Sequence, residues 1–325
     1  MTKALRLGTR GSELARTQSG HVAQAIAELL GQPVEQAVKE VIIRTQGDDT
    51  KVPLNESKTP GLFVNALRDA LLAGKVDFIV HSFKDLPSGA VEGITLVAVP
   101  PREDYHDVLV SQENRKLQEL PEGAVVGTSS PRRAAKLKYV RPDLQLVPIR
   151  GNIDTRIAKV RNGEYDATIL AAAGLNRIGL QDEIAEELRL DILLPAPAQG
   201  ALAVECRSDD EATLNLLRGL DDAQTRVTTT AERALLIGVA ATCSTAVGAI
   251  AEFADGHLTV RAELSDPERG DYERAEISAP LTLPLGSSDS LSEAHQLGMW
   301  AANKLLTTDL GQRIAQQIAS ERGGA

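Results

Sequence analysis

The sequence predicts an α/β protein with two doubly wound units, each a mostly parallel sheet covered by helices, and a smaller α+β C-terminal domain. Short apolar runs alternate with helical patterns through the first two hundred residues, which is typical of such sheets. The alternation restarts after Val99-Pro100-Pro101 and gives way to hairpin-forming segments from about residue 222. We therefore expect three domains in this chain of 325 residues.

The first unit begins with the apolar run Leu5–Gly8, which predicts a strand. Thr9-Arg10-Gly11 predicts a turn, and Ser12 is placed as the N-cap of the helix that follows. Apolar spacing and β-rich runs then predict a strand over 40–44, a helix over 61–72 and a strand over 76–81.

The second unit is predicted to repeat this alternation, with strands over 124–127, 144–149 and 167–172. Ser129-Ser130-Pro131 supplies the N-cap and first-turn proline of one helix, and Asn152 or Asp154 caps the next. We interpret the segment PAPAQG (195–200) as a linker at the end of this unit.

The C-terminal part has the pattern of an antiparallel sheet with helices. Two apolar runs, 246–254 and 257–265, flank Asp255-Gly256, a pair that favours positive φ and therefore a β-hairpin. A further strand is predicted over 272–278, and the chain ends in helices around 290–320.

Composition excludes several classes of protein. The hydrophobic fraction is 42%, the formal net charge is −10 and the isoelectric point is near 5.1, as in ordinary soluble domains. We see no signal peptide and no apolar run that would span a bilayer, so we expect a cytoplasmic protein.

Neither Cys206 nor Cys243 has a Cys or His at metal-ligand spacing, so we expect neither a zinc site nor a disulfide framework. Cys206 is expected inside a buried strand, and Cys243 in a loop of small residues.

Positive charge is concentrated over residues 127–161, where nine Lys and Arg stand against two Asp. One interpretation is a solvated basic face, as most charge runs are. However, the basic residues follow predicted strands, and open α/β sheets bind ligands at the carboxyl ends of their strands. Guanidinium groups beside helix N-termini form receptors for carboxylate or phosphate, so we expect an anionic ligand here.

Two anionic ligands can be weighed from the residues alone. Aromatic residues make up only 3% of the chain, which leaves few platforms for stacking bases and argues against a nucleic acid. A nucleotide-binding P-loop motif is absent, and Gly8-Thr9-Arg10-Gly11 alone is a weak phosphate signal. The residues by themselves do not decide between phosphate and carboxylate.

Seven sequence blocks, in order, resemble the porphobilinogen deaminase (hydroxymethylbilane synthase) family. Together they cover nearly the whole chain up to about residue 250. The blocks are GTRGSELA (8–15), HSFKDLP (81–87), VGTSSPRRAA (126–135), PIRGNIDTR (148–156), AAAGLNRIG (171–179), PAPAQGALAVECR (195–207) and the loop around Cys243.

The resemblance implies a fold, a reaction and a cofactor. The fold has two lobes like those of periplasmic binding proteins, over 1–99 with 196–220 and over 100–195, and a third domain over 221–325 that carries the cysteine. The reaction joins four porphobilinogen molecules into hydroxymethylbilane with loss of ammonia, in porphyrin and heme biosynthesis. The cofactor is a dipyrromethane held on Cys243 through a thioether. We expect a monomer that binds only small molecules.

The resemblance also implies the site residues. The catalytic pair is Asp85 with Lys84. Cofactor binding is assigned, besides Cys243, to Arg10, Ser12, Lys84, Thr128, Ser129, Ser130, Arg132, Arg133, Arg150, Gly151 and Arg156. Substrate binding is assigned to Arg10, Ser12, Arg150, Arg156, Arg177 and Gln199. Each pyrrole of such a chain carries an acetate and a propionate, which the arginine forks match.

Several alternatives stay open at this point. Asp85 can be a local salt-bridge partner, and Cys243 can be a structural residue. The family usually has paired glycines before the cysteine and a proline soon after it, where this chain has Ala241-Thr242 and Ala246. Pro60 occupies the usual place of a lysine, so Lys58 is only a weak candidate. The alternative function is a carboxylate-binding or sensor protein on the same two-lobed scaffold.

Overall fold

A computed structural model describes residues 4–44, 62–242 and 244–323 of the chain. It separates into two compact units, Met1–Glu103 with Ala201–Arg226, and Asp104–Gly200 with Val227–Ala325. Each unit is therefore built from two separate stretches of sequence. The predicted division into three domains stays a prediction.

Thirteen strands are present in the described ranges. In chain order they are β1 (Leu5–Thr9), β2 (Val38–Ile42), β3 (Phe78–Ser82), β4 (Ile94–Ala98), β5 (Asp107–Ser111), β6 (Val125–Gly127), β7 (Gln145–Val147), β8 (Ala167–Ala171), β9 (Glu186–Leu188), β10 (Leu202–Arg207), β11 (Ala246–Ala254), β12 (His257–Ser265) and β13 (Tyr272–Pro280).

Ten α-helices accompany these strands in the same ranges. They are α1 (Glu13–Leu30), α2 (Val34–Ala37), α3 (Leu62–Leu72), α4 (Pro131–Val140), α5 (Ile153–Arg161), α6 (Ala172–Arg177), α7 (Glu211–Leu217), α8 (Ala223–Gly238), α9 (Ser288–Leu306) and α10 (Asp309–Gly323). No helix in the described ranges is long and apolar enough to cross a membrane.

The two larger sheets have the same design. The first has the strand order β2-β1-β3-β10-β4 and the second β7-β6-β8-β5-β9. The first three strands of each order are parallel, and the fourth strand is antiparallel to both of its neighbours. The mostly parallel character expected from the sequence is confirmed.

Helices cover both faces of the first sheet. Because successive side chains of a strand point to opposite faces, neighbouring residues of one strand pack against different helices. Phe78 and Val80 of β3 join a core with Val22 and Ile26 of α1. Ile79, between them in sequence, packs instead with Leu67 and Leu71 of α3.

The second sheet is covered in the same way. Val126 and Ile169 pack with Leu137 of α4, while Val108 and Leu170 pack on the other face with Ile157 of α5. This two-sided covering defines a doubly wound sheet.

The third sheet, β11-β12-β13, is antiparallel. Asp255 and Gly256 have φ values of 52° and 76°, so the predicted hairpin turn is confirmed. One face of this sheet packs on helices α8, α9 and α10, through Val260, Leu235 and Leu297 among others. The predicted fold class, two α/β lobes and a smaller α+β part, is confirmed.

Residues 195–200, interpreted from the sequence as a linker, end where the chain passes from the second unit to the first and are themselves largely buried. Ala198 and Gln199 are fully buried. The N–H of Ala198 donates to Oε2 of Glu232 at 2.6 Å, and the carbonyl of Pro195 accepts from Ala249 at 2.9 Å. The segment is packed into the second unit because its backbone groups are bonded there.

Candidate active site

Functional side chains of the first unit follow two neighbouring strands. β1 and β3 are parallel and adjacent, so Arg10 after β1 and Lys84 and Asp85 after β3 lie at the same edge of the sheet. Gln18 of α1 supports this edge, because its Nε2 donates to Oγ of Ser82 at 2.9 Å. The assignment of these residues to one site stays a prediction.

A short 3₁₀ helix, Phe83–Asp85, sets the direction of the acidic side chain. Phe83 is buried, and its N–H donates to the carbonyl of Ala201 at 3.0 Å. Lys84 is then half-buried and Asp85 exposed. Among the described residues we find no hydrogen bond or ion pair to the Asp85 carboxylate. The local salt bridge considered as the alternative is therefore not seen.

Ser12 begins α1 through its backbone, since its carbonyl accepts the N–H of Arg16 at 3.0 Å. Its hydroxyl makes no capping hydrogen bond. The N-cap position predicted for Ser12 is confirmed, but the expected side-chain cap is wrong.

In the second unit, the N-terminus of α4 carries three hydroxyl groups. Ser130 accepts the N–H of Arg133 at 3.5 Å and precedes Pro131, so the predicted cap and first-turn proline are confirmed. Thr128 Oγ1 accepts the N–H of Ser130 at 3.2 Å. Ser129 donates to the carbonyl of Ile149 at 2.8 Å and accepts its N–H at 3.2 Å. Ser129 thus ties the end of β6 to the end of β7.

Asp107 organises the two arginines of α4. Its Oδ2 lies 2.5 Å from Nη1 of Arg132, and its Oδ1 lies 2.6 Å from Nη2 of Arg133. Nη1 of Arg132 also donates to the carbonyl of Leu194, and Nη1 of Arg133 to that of Ile169, both at 2.6 Å. Both guanidinium groups are buried. Their cofactor contacts stay a prediction, because these bonds are made within the protein.

The charges in this cluster do not cancel. Burial alone would raise the pKa of Asp107, yet Arg132 and Arg133 hold it far below its usual range. Burial, followed by the charge of Arg133, lowers the pKa of the half-buried Arg156. Two guanidinium groups therefore share the carboxylate of Asp107, and a third, that of Arg156, lies within the electrostatic influence of Arg133. This excess of positive charge favours an anion at the site.

Gly151 is the one residue of the β7–α5 turn whose backbone requires glycine. Its φ is +111°, and a Cβ there would lie 2.6 Å from Cγ2 of Thr155. Its carbonyl accepts Nε of Arg156 at 2.9 Å. The turn places the exposed Arg150 before the helix and Arg156 on its first turn.

Gln199 and Arg177 are joined to the same edge of the second unit. Nε2 of Gln199 donates to the carbonyl of Tyr105 at 2.8 Å and reaches Oδ1 of Asp107 at 3.2 Å. Nη2 of Arg177 donates to the carbonyl of Gly200 at 2.6 Å. Gln199 is fully buried, so its substrate role stays a prediction.

A cavity of about 440 Å³ joins α4 to the segment that follows Cys243. One wall contains Thr128, Ser129 and Ser130, and another contains the run Ser244–Ala246. Apolar contacts come from Ile314 and Ile318 of α10, among other residues. The hydroxyl groups predicted to bind the cofactor therefore lie around the same space as the residues next to the predicted attachment point.

Cys243 itself lies outside the described residues, as do Lys58 and Pro60. On either side of Cys243 the chain forms a turn, in which the N–H of Thr242 donates to Oγ1 of Thr245 at 2.9 Å. Oγ1 of Thr242 lies 2.7 Å from Oγ of Ser244. Thr242, which departs from the family's glycine, thus contributes its hydroxyl to the turn.

Cys206 is fully buried in β10, as expected, and burial raises the pKa of its thiol to about 11.

The basic stretch 127–161 also contains three cations that are paired with carboxylates of the protein. Lys136 pairs with Glu263, Arg141 with Asp143 and Arg161 with Glu183. These pairs are structural, because each joins the cation to a carboxylate of the protein.

Asp107 is the important residue that the sequence interpretation missed. The only local signal was a charged residue at the start of the apolar run Asp107–Val110, which forms β5. Its partners are 25 and 26 residues away, so no spacing rule connects them.

Comparisons with known proteins identify the family of the chain. The family model "Porphobilinogen deaminase, dipyromethane cofactor binding domain" matches residues 5–215, and "Porphobilinogen deaminase, C-terminal domain" matches residues 227–307. The chain belongs to the porphobilinogen deaminase family. The sequence resemblance is confirmed.

Curated relatives of this family align over almost their whole length. Porphobilinogen deaminase 1 of Streptomyces coelicolor is 47% identical over 318 residues, which is 96% of this chain and 97% of that protein. Porphobilinogen deaminase of Thermobifida fusca is 44% identical over 320 residues, 98% of each chain. Among solved structures, a putative methionine-binding lipoprotein of Bacillus subtilis has a TM-score of 0.42 at 12% identity, covering 67% of this chain and 90% of that one. That likeness is too distant to bear on function.

The residues present fit the cofactor that the family model names. A dipyrromethane carries four carboxylates, and the second unit offers hydroxyl donors at the cavity beside an excess of guanidinium charge. Charge-assisted hydrogen bonds of this kind are the strongest that proteins form to carboxylates. The donor set of this chain is therefore suited to a dipyrromethane.

Proposed function

We propose that this chain is a transferase that joins four porphobilinogen molecules into the linear tetrapyrrole hydroxymethylbilane, with loss of one ammonia per substrate. A covalently bound dipyrromethane serves as primer. The observation that carries the proposal is the cavity shared by Thr128–Ser130 and Ser244–Ala246, in a chain that matches the family models over 5–215 and 227–307.

The arginines bind and orient the acidic side chains of the pyrroles. The Gly151 turn places Arg150 and Arg156. Arg132 and Arg133 share the single carboxylate of Asp107, so the pair adds a net positive charge beside them. Orienting two reactants in this way makes the joining step effectively intramolecular. Arg10, Ser12, Arg177 and Gln199 are further proposed contacts for substrate.

Asp85 is the proposed acid–base and electrostatic residue. Loss of ammonia leaves positive charge on the substrate pyrrole, and a fixed carboxylate stabilises such charge in the transition state. The same carboxylate can accept the proton that leaves the pyrrole carbon when the new carbon–carbon bond forms. Its exposure and the absence of a partner among the described residues leave both oxygens available for this role. Lys84 lies beside it as the proposed second catalytic residue.

Cys243 is the proposed attachment point of the cofactor. When bound, the dipyrromethane supplies the pyrrole end to which each new substrate is joined. Thr128, Ser129 and Ser130 hold its carboxylates in place from the N-terminus of α4, where backbone N–H groups also favour anions. We further propose that the protein is cytoplasmic and monomeric.

The proposal is tested by stoichiometry. The purified protein is incubated with porphobilinogen, and ammonia and tetrapyrrole are measured in the same samples. We expect four ammonia released per tetrapyrrole formed. A carboxylate-binding or sensor protein would bind porphobilinogen without releasing ammonia, and that result would overturn the proposal.

A further inference from the structure

A buried ammonium group lies one helical turn beyond Arg132 on α4. Lys136 is 2% exposed, and its Nζ lies 3.0 Å from Oε2 of Glu263, which is itself fully buried. Burial lowers the pKa of Lys136, and the charge of Glu263 opposes this shift. Arg132 and Lys136 are four residues apart and therefore share one face of the helix.

Glu263 has further partners that fix its position on β12. Its Oε2 accepts Nε of Arg274 at 2.7 Å, and its Oε1 accepts the hydroxyl of Ser265 at 3.2 Å. The ring of Tyr272 lies under the ammonium of Lys136, with 3.2 Å from Nζ to the ring centroid. This arrangement of cation, carboxylate and aromatic ring stabilises one position of α4 against the sheet.

A second contact joins the same helix face to the same sheet. Gly248 on β11 is the register partner of Glu263 on β12. A Cβ at Gly248 would lie 2.9 Å from Cβ of Leu194 and 3.4 Å from Cδ of Arg132. Arg132 therefore packs directly over β11, while Lys136 binds to β12 beside it. Two adjacent contacts restrict both sliding and rotation of α4.

These contacts lie between the two walls of the cavity. Ser265, the partner of Glu263, lines the cavity, as do Ser129 and Ser130 at the start of α4. Ser244–Ala246 line it as well and lead directly into β11. A shift of α4 along the sheet would therefore change the distance between the hydroxyl groups and the segment that follows Cys243.

We propose that Lys136 is a positioning residue for cofactor attachment, which through Glu263 holds the N-terminus of α4 in a fixed position against β12 and its neighbour β11, the strand that follows Cys243 in sequence. The inference rests on the proposed function, because it assumes that a dipyrromethane is attached beside this cavity. It adds a residue that touches neither cofactor nor substrate and that lies outside the motifs of the site.

The test measures attachment, folding and affinity for substrate separately. Apoprotein is purified from cells that make no porphobilinogen, porphobilinogen is added, and intact mass is followed over time. The test variant is Lys136→Met, which keeps the length of the side chain. Glu263 still has Arg274 as a cation in this variant, so no unpaired carboxylate is left to prevent folding. We expect attachment to be roughly 10-fold slower in this variant, since displacement by a fraction of an ångström already reduces such rates.

Two further variants serve as controls. Val260→Ala removes a fully buried side chain from the opposite face of the same strand, where it packs with the helices of the C-terminal core. It should lower the melting temperature while leaving the attachment rate near that of the wild type. Lys136→Arg keeps the cation and should recover most of the rate. In the holoprotein fraction of Lys136→Met, we expect KM to rise while kcat stays near the wild-type value.

The outcomes separate this inference from the function on which it rests. If the wild-type apoprotein gains no mass, the proposed function fails. If the wild type gains the adduct and Lys136→Met gains it at the same rate, the positioning role is wrong. An equal slowing in Val260→Ala would also overturn it, because the effect would then follow from lower stability alone.

Discussion

Asp107 binds Arg133 through a single carboxylate oxygen, which accepts Nε at 3.0 Å and Nη2 at 2.6 Å. The second oxygen is left for Arg132, at 2.5 Å. One buried acid therefore fixes two neighbouring arginines at the start of α4. Because α4 also carries Ser129 and Ser130 at its N-terminus, Asp107 orders the whole predicted carboxylate-binding end of the second unit.

Asp107→Asn should destabilise the protein strongly. It leaves two buried guanidinium groups without a carboxylate, and breaking a buried ion pair in this way costs about 3–5 kcal/mol. Urea unfolding gives the free energy of unfolding. Asp143→Asn is the matched control, because Asp143 pairs with Arg141 at a solvent-accessible position, where an ion pair contributes little to stability. Equal losses in the two variants would contradict the account.

Glu205 should make stability depend on pH in the acidic range. Burial would raise its pKa, but hydrogen bonds from the buried Arg68, at 2.5 and 2.9 Å, lower it to about 2. The folded pKa lies below the unfolded value, so the contribution is complete above about pH 4.5 and is lost as the pH falls toward 2.

Unfolding of the wild type and of Glu205→Gln should therefore be compared across this pH range. The difference should be about 3 kcal/mol near neutral pH and should shrink steadily below about pH 4.5. A difference that stays constant down to pH 3 would show that ionisation of Glu205 does not contribute.

Gly151→Ala should weaken substrate binding. The positive φ and the contact with Thr155 make any Cβ at this position costly, by about 1–3 kcal/mol, and the turn that places Arg150 and Arg156 must distort. We expect a raised KM in a steady-state assay. Gly163→Ala is the control, since Gly163 has a φ of +78° just beyond the far end of α5, where a Cβ would make only an ordinary van der Waals contact, 3.7 Å from Nε2 of Gln112. KM should be unchanged there, and an unchanged KM in Gly151→Ala would contradict the role of the turn.

Asp85→Asn should fold normally and lose several orders of magnitude in turnover. Its carboxylate is exposed and has no partner in the described parts of the chain, so little stability depends on it. Thermal unfolding and kcat are measured together, with the exposed Asp209→Asn as the control for a simple loss of charge. Turnover near the wild-type level would remove Asp85 from the mechanism.

Local features of the sequence predicted local features of the structure. Ser130 before Pro131 predicted the start of α4, and Asp255-Gly256 predicted the hairpin turn, because both depend on backbone conformations that a few residues determine. The position of Lys84 and Asp85 at the edge of the first sheet followed from the same logic, since both residues come directly after a recognisable strand.

Ion pairs between residues far apart in sequence could not be predicted in this way. Arg68 and Glu205 are 137 residues apart in sequence, and Lys136 pairs with Glu263 across a helix–sheet contact. Such pairs depend on tertiary packing, which no periodicity encodes. For the same reason the sequence did not show that Lys136, Arg141 and Arg161 of the basic stretch are paired with carboxylates of the protein.

The central claim is that Cys243 carries a dipyrromethane. Intact mass spectrometry of the purified wild type and of Cys243→Ser tests it most directly. We predict that the wild type is heavier than its sequence by two linked pyrrole units and that the variant has the mass of its bare sequence. A wild type at its bare sequence mass after exposure to porphobilinogen, or an adduct that persists in Cys243→Ser, would contradict the account.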